Sequence, residues 1–286
     1  MFIPLHDANY LRHIRLQYVT LAVIVANCAI WLVMAASGVG AADNPASQAT
    51  FFSYGFIPAV ANGYENLGPD LSVLPEPATY VTYAFLHGNF MHLAGNMLFI
   101  WVFGDNVEDA TGHVRFVIFF LACAVAGALM HSLIQPQSTS PLIGASGAAA
   151  GIIAAYLMLH PRVKVWVLAL GRIPLRLSAM WVISAWIAFQ VINLLIAGDD
   201  QVSWGAHVGG IIAGVILLPL LKRRDVPLFD TSPVEETIPP VAPPSVSEEE
   251  HRASTDPVGD DDAAIPASQD QPADRGKPMP WGRQPR

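Results

Sequence analysis

Two polar residues in apolar surroundings have the types and the setting for catalysis. Ser146 lies in the segment GASGA (144–148), and His207 lies in the segment GAHVGG (205–210). A serine hydroxyl is a weak nucleophile until a base removes its proton, and imidazole is the side chain best suited to that work near neutral pH. The pair therefore predicts acyl-transfer chemistry, with Ser146 as the nucleophile and His207 as the general base.

A second pair of polar residues could stabilise the negative charge that develops on an attacked carbonyl group. His92 and Asn96 are spaced i,i+4, so in a helix their side chains share one face. Together with the backbone amide of Ser146 they would provide three hydrogen-bond donors for an oxyanion. Either residue alone could equally be a hydrogen-bonding contact between helices. Their pairing, opposite Ser146 and His207, favours the catalytic interpretation.

Membrane-spanning helices must position these residues. Of the 286 residues, 53% are hydrophobic and only 13% are charged, a composition typical of a membrane protein. A helix needs about 20 apolar residues to cross the hydrocarbon core of a bilayer. Six stretches qualify: 18–36, 85–103, 116–134, 142–160, 178–197 and 204–221.

Basic residues indicate the orientation, because they are retained on the cytoplasmic side of a membrane protein. Six spans put both termini on one side, and the ten basic residues near the spans all lie on that side: Arg12, Arg15, Arg115, Arg162, Lys164, Arg172, Arg176, Lys222, Arg223 and Arg224. The opposite connections carry acidic residues instead: Asp43, Glu65, Asp70, Glu76, Asp199 and Asp200. This distribution predicts cytoplasmic termini and a site that opens to the non-cytoplasmic side.

Small residues predict which helices are neighbours. Helices in a bilayer approach closely where Gly and Ala replace larger side chains. Gly147 and Gly151 on the fourth span, and Gly210 and Gly214 on the sixth, form such stripes. Taken alone, the stripes indicate ordinary membrane packing. Because they accompany Ser146 and His207, they predict that the fourth and sixth spans meet at the site.

The composition divides the chain into three parts. Residues 1–17 are predicted to be a cytoplasmic N-terminal segment and residues 18–224 the membrane domain. Residues 225–286 are rich in Pro, Ser, Asp and Glu, which predicts a disordered cytoplasmic tail. The first span is too long for a typical signal-peptide core, so we expect it to be retained. Cys28 and Cys123 lie in apolar runs and are interpreted as packing residues, and nothing suggests nucleic-acid binding.

Three segments resemble the signatures of the rhomboid family of intramembrane serine proteases. They occur in the family's order and on the corresponding helices: HGNFMHLAGNM (87–97), GASG (144–147), and AHVGG (206–210) followed by Gly214. The segments 54–59 and 104–109 also resemble bacterial members of the family. The resemblance runs from about residue 18 to residue 221 and leaves out the tail.

The resemblance implies an all-α membrane protein, a six-transmembrane-helix rhomboid-like bundle, that acts as a serine-type endopeptidase. It implies a Ser146–His207 dyad without an acidic third member, and an acyl-enzyme intermediate. The oxyanion would be held by His92, Asn96 and the backbone amide of Ser146. The expected substrates are single-pass transmembrane proteins, cleaved at or near the membrane. No cofactor and no metal are expected.

The resemblance also bears on the surroundings of the site. Polar His87, near the outer mouth of the second span, either lines a route for water or supports the neighbouring polar residues. Membrane lipid is an expected partner. The bacterial-style loops, with no evident transit peptide, favour a bacterial cytoplasmic membrane as the location.

Two positions depart from the pattern of the family. Many relatives carry a Trp-Arg pair just before the second span, where this chain has ATYVTY (78–83), so the anchoring of the first loop is left open. Relatives often place an aromatic residue one turn after the serine, against the catalytic histidine. This chain has Ala150 there, so the orientation of His207 is also left open.

Rival functions are less consistent with the sequence. The nearest alternative is a catalytically inactive rhomboid-like adaptor that binds membrane proteins, which would be expected to lack Ser146 or His207. A transporter is disfavoured because no inverted repeat is visible and no acidic residue lies mid-span. A metalloprotease would need an HExxH motif, which is absent, and an aspartyl protease would need a partner for Asp105.

Overall fold

The fold is described by a computed structural model that covers residues 2–38, 44–169, 171–196 and 203–230. Of the two units into which the chain divides, Met1–Glu235 and Glu236–Arg286, only the first contains described residues. Asp43, Asp199, Asp200 and most of the predicted tail therefore lie outside the described residues. The helices are α1 Tyr18–Ala36, α2 Pro45–Tyr54, α3 Pro58–Ala61, α4 Glu76–Thr82, α5 Phe90–Thr111, α6 His113–Ile134, α7 Ser146–Leu159, α8 Ala179–Ile196 and α9 Trp204–Leu221.

The long helices form a bundle with the properties of a membrane protein. Among the described residues, α1, α6, α8 and α9 are long and apolar enough to cross a bilayer. Helix α5 is as long as α6 but carries Asp105, Glu108 and Asp109 in its last turns. Helix α7 has only 14 residues, about 21 Å at 1.5 Å per residue. The fold is therefore a helical membrane bundle, as the composition predicts.

The short helix α7 lies at the centre of the bundle. It packs against α5, α6, α8 and α9, and every residue from 147 to 156 is buried. Seven of these ten residues are Gly or Ala, and their small volume lets four helices surround one. Because α7 begins at Ser146, this residue occupies the first position of the central helix.

Local capping explains where the helices that carry the site begin. Helix α5 starts at Phe90, later than the predicted span at 85, because the side chain of Asn89 accepts a hydrogen bond of 2.8 Å from the backbone amide of His92. Helix α9 starts at Trp204, where the Ser203 hydroxyl accepts from the amide of Ala206 at 3.2 Å. These caps mark the starts of the helices that carry His92 and His207.

The acidic end of α5 binds the chain that leads into α1. The buried Glu108 carboxylate accepts hydrogen bonds from the amides of Val19 and Thr20 and from the Thr20 hydroxyl, at 2.9, 2.8 and 2.6 Å. Asp109 accepts from backbone amides of the preceding segment, residues 12–14. Because a helix N-terminus has unpaired amides and a positive dipole end, carboxylates stabilise it. The charges in α5 thus have a structural role.

A three-stranded antiparallel sheet covers the end of the bundle remote from Ser146. Its strands are β1 Phe2–Asp7, β2 Lys164–Ala169 and β3 Ile173–Ser178, in the order β1-β2-β3. The sequence predicts no strands in these segments. Residues 225–230, assigned from composition to the tail, also lie against the bundle, since the amide of Phe229 donates to the Met158 carbonyl at 2.6 Å and Val226 is buried.

The buried carboxyl group of Asp7 connects strand β1 to the bundle through hydrogen bonds. Asp7 is 5% exposed, and its Oδ2 accepts hydrogen bonds from the Tyr156 hydroxyl at 2.8 Å and from Asn106 Nδ2 at 3.0 Å. Asn106 Nδ2 also donates to Asp105 at 2.8 Å. Burial raises the pKa of Asp7 from 3.8 to about 6, although these hydrogen bonds partly oppose the rise.

We expect Asp7→Asn to stabilise the protein at pH 7.5. A raised pKa in the folded state means that stability falls as the pH rises from about 4 to about 6 and stays low above that range. Asparagine keeps an oxygen acceptor for Tyr156 and Asn106 without the buried charge, so the gain is at most about 3 kcal/mol. Thermal unfolding in detergent between pH 4 and 8 measures it. Exposed Asp70→Asn is the control, and an unchanged pH slope in Asp7→Asn would contradict this account.

Candidate active site

The loop before α7 brings its backbone against two side chains of α5. Gly144 has a φ of +114°, a conformation that glycine adopts without strain, and its amide donates to the Tyr83 carbonyl at 2.9 Å. A Cβ atom at this position would lie 2.5 Å from Nε2 of His92 and 3.4 Å from Nδ2 of Asn96. His92 and Asn96 therefore lie beside the segment that ends at Ser146.

A third polar residue joins this group. Asn96 Nδ2 donates to Nε2 of His87 at 2.9 Å, and the rings of His87 and His92 meet edge to face at 5.1 Å. His87 is 2% exposed, so it is buried behind Asn96. This contact fixes the orientation of the Asn96 amide and leaves its second N–H group available to another acceptor.

The predicted meeting of α7 and α9 is found in the structure. A Cβ atom on Gly210 would collide with the backbone carbonyl of Gly147, and one on Gly214 would collide with that of Gly151. A Cβ atom on Gly147 would lie 3.2 Å from the carbonyl oxygen of Ala206. The two backbones are therefore in direct contact, which requires small residues on both helices.

His207 is held from one side by helix α8. Its Nδ1 lies 2.8 Å from Oε1 of Gln190, and Nε2 of Gln190 donates to the Trp186 carbonyl at 3.4 Å. The glutamine oxygen is thus the acceptor and His207 Nδ1 the donor, which leaves Nε2 of His207 free to accept a proton. Gln190 is 2% exposed, so its side of this contact is shielded from water.

Aromatic rings complete the surroundings of His207. The Trp186 ring is stacked on the imidazole with the ring planes inclined by 28° and the centroids 6.4 Å apart, and the Trp204 ring meets the imidazole edge to face at 6.0 Å. Trp186 also packs against the apolar cluster formed by Ala150, Ala154 and Ile211. The aromatic ring beside the imidazole thus comes from α8 instead of α7, and the contacts with Gln190, Trp186 and Trp204 account for the orientation of His207.

Ser146 and His207 lie on adjoining turns of touching helices, since their neighbours Gly147 and Ala206 are in contact. Within the described part of the chain, however, the Ser146 hydroxyl makes no hydrogen bond with His207. Catalytic hydrogen bonds are often long before a substrate binds and shorten in the complex. The arrangement therefore brings the two residues to the same region without a formed dyad.

Another serine does contact a histidine. Nδ1 of His131 lies 2.8 Å from the Ser203 hydroxyl, and His131 is buried. The same hydroxyl oxygen caps α9 by accepting from the Ala206 amide. No side-chain donor equivalent to His92 or Asn96 contacts Ser203 in the described residues. We interpret this pair as a helix cap and not as a catalytic centre.

The first loop is anchored by residues of the stretch 78–83. The Tyr83 hydroxyl donates to the Ala124 carbonyl at 2.7 Å, and the Thr82 hydroxyl donates to the Tyr54 carbonyl at 2.6 Å. The Tyr80 ring packs against Phe56 at 4.5 Å. These contacts tie the loop to α6 and α2 at the position where many relatives carry a Trp-Arg pair.

Two residues that the sequence does not single out, Gln190 and Trp186, contact His207 directly. The available signal is polarity, since a glutamine within an apolar span is expected to face the bundle interior. For metal binding, the described residues contain no group of three His, Cys, Asp or Glu side chains that could hold an ion. The functional groups that the site residues present are a hydroxyl, imidazoles and amides.

Comparison with known proteins finds the same family that the sequence motifs resemble. A family model described as the Rhomboid domain matches residues 75–224. Rhomboid protein 1, mitochondrial, of Saccharomyces cerevisiae is 32% identical over 143 residues, which are 46% of this chain and 38% of that protein. Rhomboid protease GlpG of Klebsiella pneumoniae is 28% identical over 152 residues, 52% of this chain and 50% of that protein.

A further relative, Rhomboid-like protease 3 of Toxoplasma gondii, is 30% identical over 172 residues, 57% of this chain and 62% of that protein. The chain spans about half the length, or less, of several of these curated relatives. The family model covers 150 of the 286 residues, from α4 to the end of α9. The helical membrane bundle, together with this match, shows that the chain belongs to the rhomboid family.

Proposed function

We propose that this protein is an intramembrane serine endopeptidase that cleaves transmembrane substrates at or near the membrane. One observation carries the proposal: His92 and Asn96 lie against Gly144, beside Ser146, while α9 brings His207 to the same end of α7. A nucleophile, a base and oxyanion donors from three helices thus converge. Relatives that are named proteases, such as GlpG, support the reaction class.

In the proposed reaction, the Ser146 oxygen attacks a peptide carbonyl carbon while Nε2 of His207 takes its proton. The carbonyl oxygen becomes an oxyanion, stabilised by His92, by the free N–H of Asn96 and by the backbone amide of Ser146. This amide is available because the first amides of a helix have no partner within it. His207 then gives the proton to the leaving amine, and a water molecule hydrolyses the acyl-enzyme.

The proposed substrates are single-pass transmembrane proteins. Among the described residues, four helices are long and apolar enough to span a bilayer, so we expect substrates to reach the site from lipid or from its surface. The basic residues of the connections support an orientation in which the N-terminus of α7 faces the non-cytoplasmic side. A bacterial cytoplasmic membrane remains our proposal for the location.

In this reaction Gln190 is a positioning residue. By accepting the Nδ1–H of His207 it keeps the proton away from Nε2, the nitrogen that must act as the base. It also stabilises the imidazolium that forms after proton transfer, because its oxygen is the negative end of the amide dipole. Since a neutral amide replaces the carboxylate of a catalytic triad, its contribution is smaller than that of an aspartate.

We expect Gln190→Leu to lower kcat by about 10- to 100-fold, because general-base catalysis contributes about 10²- to 10⁴-fold and only its orientation is lost. KM should change little, since Gln190 lies behind His207. Gln190→Glu restores an oxygen acceptor and should recover part of the rate. Asn193→Leu, on the same helix, is the control, because within the described residues the Asn193 side chain donates only to the Phe189 carbonyl of its own helix. Equal kcat values for wild type and Gln190→Leu would refute the positioning role.

The proposed function is tested with the purified protein reconstituted into liposomes with a single-pass substrate. We expect a defined cleavage product by mass spectrometry, unchanged by a metal chelator. A chelator-sensitive product would point to a metal-dependent reaction. Capture of the substrate without any product would favour the inactive adaptor instead.

A further inference from the structure

The hairpin of β2 and β3 has an apolar surface that no described residue covers. Paired residues of antiparallel strands lie on the same side of a sheet, and Val165 pairs with Leu177 while Val167 pairs with Leu175. Both valines are only 1% exposed, so this side faces the bundle, yet Leu177 and Leu175 are 41% and 38% exposed. Strand β3 therefore extends beyond the helices that cover β2.

The apolar row continues to the end of the strand. Ile173, which pairs with Ala169, is 52% exposed, and β3 is an edge strand of the sheet. In water, an uncovered apolar edge strand promotes aggregation. The row of Ile173, Leu175 and Leu177, here called the apolar face of β3, is therefore expected to be covered.

The other side of the hairpin has a different character. Trp166 pairs with Arg176, and Lys164 pairs with Ser178. Trp166 is 42% exposed. Tryptophan and basic residues are the side chains that concentrate where a bilayer meets water. The apolar side of β3 thus suits the hydrocarbon of a bilayer, and the opposite side suits the headgroup region.

The position of the hairpin points to lipid as the cover. Strand β3 ends at Ser178, and α8 begins at the next residue, Ala179. Helix α8 is apolar enough to span a bilayer, and its first turn exposes Met180 and Trp181, the latter 70% exposed. The strand is therefore continuous with a helix that could span a bilayer, and it adjoins the first turn of that helix.

We propose that the apolar face of β3 rests on the bilayer surface at the end of the bundle remote from Ser146. In this arrangement Ile173, Leu175 and Leu177 contact the acyl chains just below the headgroups, while Arg176 faces the headgroups and water. The hairpin would fix the depth of α8, the helix that holds Gln190. The proposal does not depend on catalysis, so it stands or fails separately from the protease assignment.

Spin labels on the two sides of the strand test this proposal. The substitutions Leu175→Cys, Leu177→Cys and Arg176→Cys are introduced one at a time into a Cys28→Ala background, which retains buried Cys123. Each variant is labelled after reconstitution into liposomes. Collision rates are measured with oxygen, which partitions into lipid, and with a water-soluble nickel chelate. We expect positions 175 and 177 to favour oxygen by several-fold over position 176, which should favour the chelate.

Equal access of the nickel chelate to positions 175 and 176 would overturn the proposal, because it would mean that water surrounds both sides. Protection of all three positions from both reagents would also overturn it, by indicating a protein cover. Thermal unfolding of each labelled variant verifies that the fold is retained. Labelling of the background without an added cysteine corrects for Cys123.

Discussion

Replacing Ser146 by alanine is expected to lower the rate of substrate cleavage by at least about 10⁴-fold, since loss of the nucleophile removes the covalent route. The substitution should leave the fold intact. Ser146 is only partly buried, its hydroxyl makes no hydrogen bond within the described residues, and alanine is the best helix former. Cleavage of a single-pass substrate in liposomes and thermal unfolding of the same preparation measure both effects.

Ser203→Ala provides the matched control, because Ser203 is the serine that does contact a histidine. Its loss removes a helix cap, which costs about 1 kcal/mol, but it should leave most of the cleavage activity. If Ser203→Ala abolished cleavage and Ser146→Ala did not, the nucleophile would have been assigned to the wrong residue.

Gly210→Ala is expected to cause the second large effect, on stability as well as on activity. Its Cβ atom would collide with the Gly147 carbonyl oxygen and would lie 2.7 Å from the carbonyl carbon. Because the obstacle is backbone, α7 and α9 must separate, at a cost of about 3 kcal/mol. Separation also moves His207 away from Ser146, so we expect cleavage to fall by more than about tenfold.

Gly95→Ala is the control for this substitution. Gly95 also lies in a long helix, α5, but a Cβ atom there would have no neighbour within 4 Å. Its replacement should be neutral or stabilise the helix by up to about 1 kcal/mol. Wild-type melting temperature and activity in Gly210→Ala would mean that the two helices do not touch as described.

Hydropathy is sufficient to find much of this fold. The predicted spans 18–36 and 204–221 coincide with α1 and α9, because a lipid environment requires long uninterrupted apolar runs. The start of α5 depends on the Asn89 cap, which hydropathy does not register. The sheet pairs residues as distant as Phe2 and Ala169, and such long-range pairing leaves little trace in short local patterns.

Part of the site could also be predicted from the sequence. Ser146, His207, His92 and Asn96 stand out because polar residues are costly in apolar helices. Gln190 is equally polar, but its partner is set by the packing of α8 on α9, which spacing within one helix does not reveal. The ring contact between Trp186 and His207 depends on the same packing.

The proposed reaction requires that Ser146 is a nucleophile activated by His207. Its most direct test is covalent labelling of the detergent-solubilised protein with a fluorophosphonate probe, followed by mass spectrometry of its peptides. We predict one adduct, on Ser146, in the wild type, with labelling lost in Ser146→Ala and reduced at least about 100-fold in His207→Ala. An adduct on another residue, or equal labelling of Ser146 without His207, would contradict the account.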